Sequence, residues 1–285
     1  MKLSTFVCDK YMHMTQIIKR ALSLIVDVVL VRHQARAWLE PILRDLTLTV
    51  LPASAVYWMW VMYQNFDITQ VVIFLLGVWT LGIHTSVFIH RAWSHRAWQP
   101  GIWLNRYALF MHTLTMTAVP FAWVALHRKH HKYADTAQDP HSPYHMSRLR
   151  VLYGHYESPD LDYCKDLLRD PDHIRFRQYY WFINFVWFGL IMLIKPEWIL
   201  LWCAIIGFHA FKSRCINVVG HNNSTTKGAS NSPLFAYLFL NGESWHHNHH
   251  DDQKNWRLGR RWYQLDLGNL FIRACVALGL GKARL

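Results

Sequence analysis

VVIFLLGVWTLGIHTSVFIHRAWSH, residues 71–95, decides how the rest of the chain is read. Residues 71–89 carry no charged side chain and one histidine, His84. A bilayer core of about 30 Å takes about 20 helical residues, so the stretch is long enough to cross it. It then runs directly into His90 and His95, where a helix would leave the membrane. Their spacing of five does not fit one face of a straight α-helix, which aligns i with i+3 and i+4. The segment is therefore expected to depart from helical geometry at the membrane exit.

Three further apolar stretches, 46–63, 179–194 and 198–211, flank this one in sequence. The last two are joined by Lys195-Pro196-Glu197, and Tyr and Trp residues cluster near the ends of these three, as at membrane interfaces. Half of the 285 residues (52%) are hydrophobic and 17% are charged, with a mean hydropathy of +0.03. Those values exclude a disordered chain. The five cysteines are scattered and form no CxxC pair, which excludes a small disulfide scaffold.

Lysine and arginine set the orientation. None lies in 65–70 and one lies in 195–197, against seven in 1–45, twelve in 90–178 and ten after 211. Cytoplasmic loops carry the positive excess, so both short turns are expected outside and both termini inside. The net charge of +12 then reads as a face on anionic lipid, without nucleic acid. Residues 21–31 mimic a signal-peptide core, but Asp27, Arg32 and Arg36 argue for an interfacial amphipathic helix.

The 19 histidines are concentrated. HRKHH (127–131) and ESWHHNHH (243–250) each place three at i, i+3 and i+4: His127, His130, His131 and His246, His249, His250. Asn217 and His221 form an i, i+4 pair in NVVGH. His247 points off the triplet face and is not expected to be a ligand. With His90 and His95 this makes nine imidazoles, more than one ion holds, so two metals are implied. Imidazole suits Zn, Cu, Fe and Ni alike. So many at a membrane edge suit a dinuclear redox centre acting on a lipid. Metal-bound imidazoles donate their second N–H to an acceptor. Asp135, Asp139, Glu243, Asp251 and Asp252 are placed in sequence for that, Glu243 on the face of His246.

HRAWSH, HRKHHKYADTAQDPH, NVVGH and GESWHHNHH resemble the histidine boxes of membrane fatty acyl desaturases of the stearoyl-CoA desaturase type. Asp139-Pro140-His141 and the closing LDLGNLFIRACVALGL agree, and the similarity covers roughly residues 40 to 280. The resemblance implies two iron ions held by His90, His95, His127, His130, His131, His221, His246, His249 and His250. It implies Asn217 approaching one metal through water, and insertion of a cis double bond with O2 and two external electrons. Trp123, four residues before His127, matches the family and is expected at the substrate tunnel. Three positions depart from it: His247 stands where the family has Asn, Asp251-Asp252 where it has Phe-Pro, and Ala125 where some members carry an arginine near CoA.

The chain has no CxxCH haem site and no GxGxxG following a strand. Electrons are thus expected from a separate protein, a ferredoxin, rubredoxin or cytochrome b5-like donor. The expected substrate is a long-chain acyl group, with acyl-CoA first among carriers. The expected architecture is an all-α integral membrane protein of four transmembrane helices in two hairpins, with a cytoplasmic helical cap holding the dimetal site. Its parts are 1–45 (interfacial), 46–89 (first hairpin), 90–178 (cap), 179–211 (second hairpin) and 212–285 (cap). Phe74 and Val78, four apart on the second span, are expected to close the acyl tunnel. The alternatives are a histidine-box membrane hydroxylase, which would retain oxygen in its product, and a metal transporter. A transporter places ligands within the spans, where only His84 and His209 lie.

Overall fold

The computed structural model describes residues 33–116, 119–154, 156–222, 228–235 and 240–283. The amphipathic helix expected over 21–31 lies outside them. Helix α1 (His33–Gln64) has 32 residues and turns at Asn65 into α2 (Ile68–His84). Asp67 sets that start, its Oδ1 accepting from the amides of Thr69 at 2.8 Å and Gln70 at 3.2 Å, which satisfies donors a helix leaves open. The chain continues without a break as the π-helical segment π1 (Thr85–Ser94). After a short strand β1 (Trp98–Pro100) come α3 (Ile102–Leu114) and α4 (Pro120–Tyr133). Helices α5 (Arg148–Tyr153), α6 (Pro171–Gln178), α7 (Tyr180–Ile194) and α8 (Trp198–Val219) follow. The last elements are α9 (His246–Asp251), α10 (Leu267–Ala277) and strand β2 (Gly281–Ala283).

The chain is mostly helical, and the all-α expectation is amended by one small antiparallel pair. Strand β1 meets β2 with Gln99 opposite Lys282, tying the C-terminal end to the chain just past His95. Two helices are long and apolar enough to cross a membrane by length and composition, Ile68–Ser94 with 27 residues and Trp198–Val219 with 22. Helix α7 has 15 residues, roughly 22 Å at 1.5 Å per residue.

Two cores position the site. In one, Leu51, Ala55 and Trp58 of α1 pack with Phe74 and Val78 of α2 and with Leu201 and Ile205 of α8. Helices α1 and α8 approach so closely that a Cβ on Gly207 would stand 1.9 Å from the Leu51 carbonyl oxygen, so only glycine fits. In the other, Val87, Phe88 and Trp93 of π1 pack with Trp98, Leu109, Phe121, Val124 and Ile272. This second core fixes π1 against α4 and α10, and with them the first two histidine boxes.

Candidate dimetal centre

The π-helical turn resolves the spacing of His90 and His95. The amide of His95 donates to the carbonyl of His90 at 3.1 Å, an i to i−5 bond that aligns residues five apart. The two rings lie 4.9 Å centroid to centroid. The departure from α geometry foreseen there is thus a widening of the helix rather than its end. Such π-bulges recur at functional sites.

The nine histidines converge into two sets. His90, His95, His127, His131 and His249 form one, and His130, His221, His246 and His250 the other, with the ligand atoms of each set all within 4.8 Å of one another. The nearest approaches run between Nε2 atoms: His95 to His127 2.8 Å, His90 to His249 2.9 Å and His131 to His249 3.0 Å. In the second set, His221 to His246 is 2.9 Å, His246 to His250 3.2 Å and His130 to His250 3.3 Å. A metal–nitrogen bond of about 2.1 Å puts adjacent octahedral ligands about 3 Å apart, which these spacings match. Five imidazoles in one set also exceed the four ligands of a tetrahedral zinc site.

Three of the opposite ring nitrogens are held by carboxylates. His90 Nδ1 stands 2.7 Å from Glu243, His130 Nδ1 2.8 Å from Asp139, and His221 Nδ1 2.9 Å from Asp135. Each carboxylate accepts a hydrogen bond from Nδ1–H, which keeps the proton there and leaves the Nε2 lone pair facing the set. Asp135 adopts a left-handed backbone, φ 59°, and its amide donates to Asp139 at 2.9 Å, which links the two acids. Glu243 departs from expectation: it serves His90 across the fold rather than His246 three residues on. The loop from Leu240 turns it away from α9. Asp251 instead pairs with Arg260 at 3.0 Å and Asp252 accepts from Asn255 at 3.2 Å, both exposed, so neither supports a histidine. The exposed His247 donates from Nδ1 to the Ala229 carbonyl at 3.2 Å, outside both sets.

Burial, and after it the charge of neighbouring imidazoles, holds His95, His127, His131, His246 and His249 well below the ordinary histidine range. His130 is lowered by the same causes. They are therefore neutral at physiological pH and ready to bind a cation. Burial alone would raise Glu243, but His90 and Arg91 outweigh it and keep the carboxyl ionised.

Arg91 was not singled out in the sequence. It is 1% exposed and donates to Asp266 at 2.8 Å, to the Asn241 carbonyl at 2.6 Å and to the Trp256 carbonyl at 2.7 Å. It staples π1 to both loops around the third histidine box. A Cβ on Gly268 would meet its guanidinium at 2.7 Å, so the glycine makes room for it. The one signal in the sequence is an arginine directly after a ligand histidine. His141 was also not counted among the candidates. It is buried against His130, ring to ring at 4.3 Å, and burial lowers it to about 3.

A cavity of about 290 Å³ approaches the centre, lined among others by Leu48, Met116, Trp123, Tyr156, Trp181 and Asn217. A smaller one of about 50 Å³ continues it to His90, His127 and His246. Trp123 stacks on His127 at 4.7 Å and borders both cavities. Asn217 borders both as well and donates to the Tyr156 hydroxyl at 3.3 Å. Phe74 and Val78 do not line either cavity. Phe74 stacks on Trp58 at 4.3 Å and meets Phe208 edge-on at 5.5 Å, so both residues belong to the packed core among α1, α2 and α8. His84 and His209 serve structure: their Nε2 atoms bond the Ala108 carbonyl and the Thr85 hydroxyl, each at 3.0 Å.

The profile of a family described as fatty acid desaturase matches residues 68–274. An sn-1 stearoyl-lipid 9-desaturase of Synechocystis sp. is 31% identical over 225 residues, covering 73% of this chain and 69% of that protein. Another sn-1 stearoyl-lipid 9-desaturase, from Anabaena variabilis, is 28% identical over 230 residues, covering 76% and 84%. The delta-9 desaturase-like 2 protein of Arabidopsis thaliana is 28% identical over 198 residues. That match covers 62% of this chain and spans just under two thirds, 64%, of the plant protein.

Proposed function

The chain belongs to the fatty acid desaturase family, and from that premise we propose that it inserts a cis double bond into a long-chain acyl group, with its nine histidines as the residues that would hold two iron ions. The observation that carries the reading is the pair of converging imidazole sets beside a cavity of about 290 Å³ with a largely apolar lining. Iron with O2 supplies the oxidant that side chains lack for breaking an unactivated C–H bond.

The protein's own residues do the rest. Asp135, Asp139 and Glu243 fix the tautomers of His221, His130 and His90. Trp123 and the apolar lining keep water from the reacting methylenes and hold two adjacent carbons beside the centre. Asn217, on the cavity wall, is placed to hold a water at the second set.

The setting is a membrane. Helices α1, α2–π1, α7 and α8 form two hairpins, with 90–178 and 212–285 as a cytoplasmic cap and both termini on that side. From Trp198 to His221 is 23 residues, roughly 35 Å of helix against a core of about 30 Å, so His221 rises just clear of the bilayer. Two electrons come from an external donor protein. The acyl group arrives as a CoA thioester or as a lipid ester such as the relatives' names specify. Expression in a desaturase-deficient host, with separate feeding of acyl-CoA and of labelled glycerolipid to its membranes, tests the reading. A new double bond in extracted fatty acids is the expected result. A hydroxylated chain would overturn it, and the carrier that turns over identifies the substrate.

A further inference from the structure

An asparagine beside a metal centre presents either its oxygen or its nitrogen, and the neighbours of Asn217 decide which. Tyr156 donates its hydroxyl proton to the Val151 carbonyl at 2.8 Å. A carbonyl can only accept, so the single phenolic proton is committed there. The hydroxyl can then meet Asn217, at 3.3 Å, only as an acceptor, which requires the Nδ2 end of the amide. Burial pushes the Tyr156 phenol up to about 12, so it keeps that proton at physiological pH. Tyr156 lines the large cavity and not the small one, whereas Asn217 lines both. Oδ1, the end turned from Tyr156, is therefore the end left for the small cavity, where His90, His127 and His246 stand.

The turn that carries Tyr156 is itself clipped to α8. Arg214, three residues before Asn217 and so on the same helix face, donates to the Leu152 carbonyl at 3.0 Å. Val151 and Leu152 belong to the last turn of α5, where carbonyls lack a helical partner. Gly154 follows with φ 75°, a left-handed conformation that glycine adopts without strain. A Cβ there would also stand 3.1 Å from Arg214 Nε. The Tyr156 amide donates back to the Gly154 carbonyl at 2.9 Å, which fixes the direction in which the ring leaves the turn. That ring lies 5.3 Å from His141, itself 4.3 Å from His130. Tyr156 thus reaches the four-histidine set by two routes, one through an amide and one through rings.

We infer that Tyr156 is the positioning residue of Asn217. It does for the amide what Asp135, Asp139 and Glu243 do for three imidazoles: it fixes which atom faces the centre. The inference rests on the desaturase reading and adds to it the atom of Asn217 that takes part. With Oδ1 inward, the amide accepts a hydrogen bond from a water and leaves that water's lone pair for the four-histidine set. With Nδ2 inward, it would donate to the water and compete for the lone pair.

The test uses full-length, iron-57-loaded protein in nanodiscs, reduced with dithionite and mixed with O2. Its substrate is stearoyl-CoA or a stearoyl-glycerolipid, whichever the wild type converts. Tyr156→Phe keeps the ring against His141 and removes only the hydroxyl. Iron should stay at the wild-type content and the half-saturating substrate concentration should hold, while the saturating rate of double-bond formation falls about tenfold, the scale of losing a partner behind a metal ligand. Of the Mössbauer doublets, the one lost in His250→Ala should shift and the one lost in His249→Ala should stay. Asn217→Ala should slow the reaction at least as much. Tyr156→Phe added to Asn217→Ala should slow it no further, since residues that act as one unit are not additive. Tyr153→Phe, exposed on α5, should change none of these readouts. Should Tyr156→Phe not fold, Tyr156→4-aminophenylalanine keeps a donor for Val151, is a poor acceptor for Asn217, and should shift the same doublet. Unchanged rate and spectra in a folded Tyr156 variant would overturn the inference. So would a further tenfold loss on adding Tyr156→Phe to Asn217→Ala, which would make the tyrosine a support of α5 alone. Failure of the desaturase reading shows in the wild type instead: protein that holds no iron or forms no double bond removes the premise, whatever the variants do.

Discussion

The two imidazole sets differ in how the protein supports them. The five-histidine set gains its ligands from all three boxes and has one carboxylate behind it, Glu243 on His90. The four-histidine set has two, Asp139 on His130 and Asp135 on His221, joined through the Asp135 amide. Its fifth neighbour is not an imidazole but Asn217, which lines the small cavity together with His246. Ligand number and carboxylate support thus compensate: where imidazoles are fewer, more of them are made strongly basic and rigid. The difference teaches that the centre is asymmetric, and that each half should fail in its own way.

Removing a ligand should have the largest effect. His249→Ala in the five-histidine set and His250→Ala in the four-histidine set should each reduce turnover below detection, since each opens a coordination position. Iron should fall from two per chain toward one in both, with the surviving site spectroscopically different between them. Identical residual spectra would erase the asymmetry. His247→Ala, one residue from a ligand but outside both sets, is the control and should change neither iron nor turnover.

Carboxylate changes come next. Asp139→Asn and Asp135→Asn should lower iron affinity of the four-histidine set by roughly 10–100-fold, read by chelator competition. Glu243→Gln should cost the five-histidine set less, roughly threefold to tenfold on the same scale, because four other imidazoles remain. The reverse order would contradict the compensation.

Acid should act on both sets in the metal-free protein. The clustered histidines are held neutral in the fold by burial and by one another, whereas in the unfolded chain each titrates near the ordinary histidine value of about 6.5. The unfolded state therefore binds more protons below that pH, and stability falls as pH drops through it, by up to about 1.4 kcal/mol per pH unit for each such histidine. The melting temperature of apo protein should be flat above pH 7 and fall steeply from pH 6.5 to 5. A flat profile throughout would mean the sets are not packed as neutral rings.

Phe74→Ala should have the smallest effect on chemistry. It removes a core ring and should cost about 3–5 kcal/mol of stability, while the chain length of products stays the same. Ala122→Trp, on the cavity wall beside Trp123, should shorten accepted chains instead. A shift in chain length from Phe74→Ala would return the tunnel floor to α2.

What the sequence discloses follows from range. The triplets at 127–131 and 246–250 are legible because helical spacing alone puts three rings on one side. His221 and the exclusion of His247 follow from the same periodicity together with the family resemblance. Of the four expected spans, those that became the helices Ile68–Ser94 and Trp198–Val219 are legible from length and apolar composition. Less visible are features that depend on distant segments meeting. Glu243 looks toward His246 along the chain and finds His90 across the fold. Arg91 gains its role from Asn241, Trp256 and Asp266, none of them near in sequence. The π-helical turn leaves only a trace, a histidine spacing of five that an α-helix does not serve. Phe74 and Val78 share a helix face as expected, but which neighbour that face meets is set by α1 and α8.

The central claim is a pair of unlike irons on nine imidazoles. Mössbauer spectroscopy of active protein grown on iron-57, with iron counted per chain, tests it most directly. Two irons per chain in two quadrupole doublets of equal area, one lost in His249→Ala and the other in His250→Ala, is the predicted result. Active protein with one iron per chain, or with none, would contradict it.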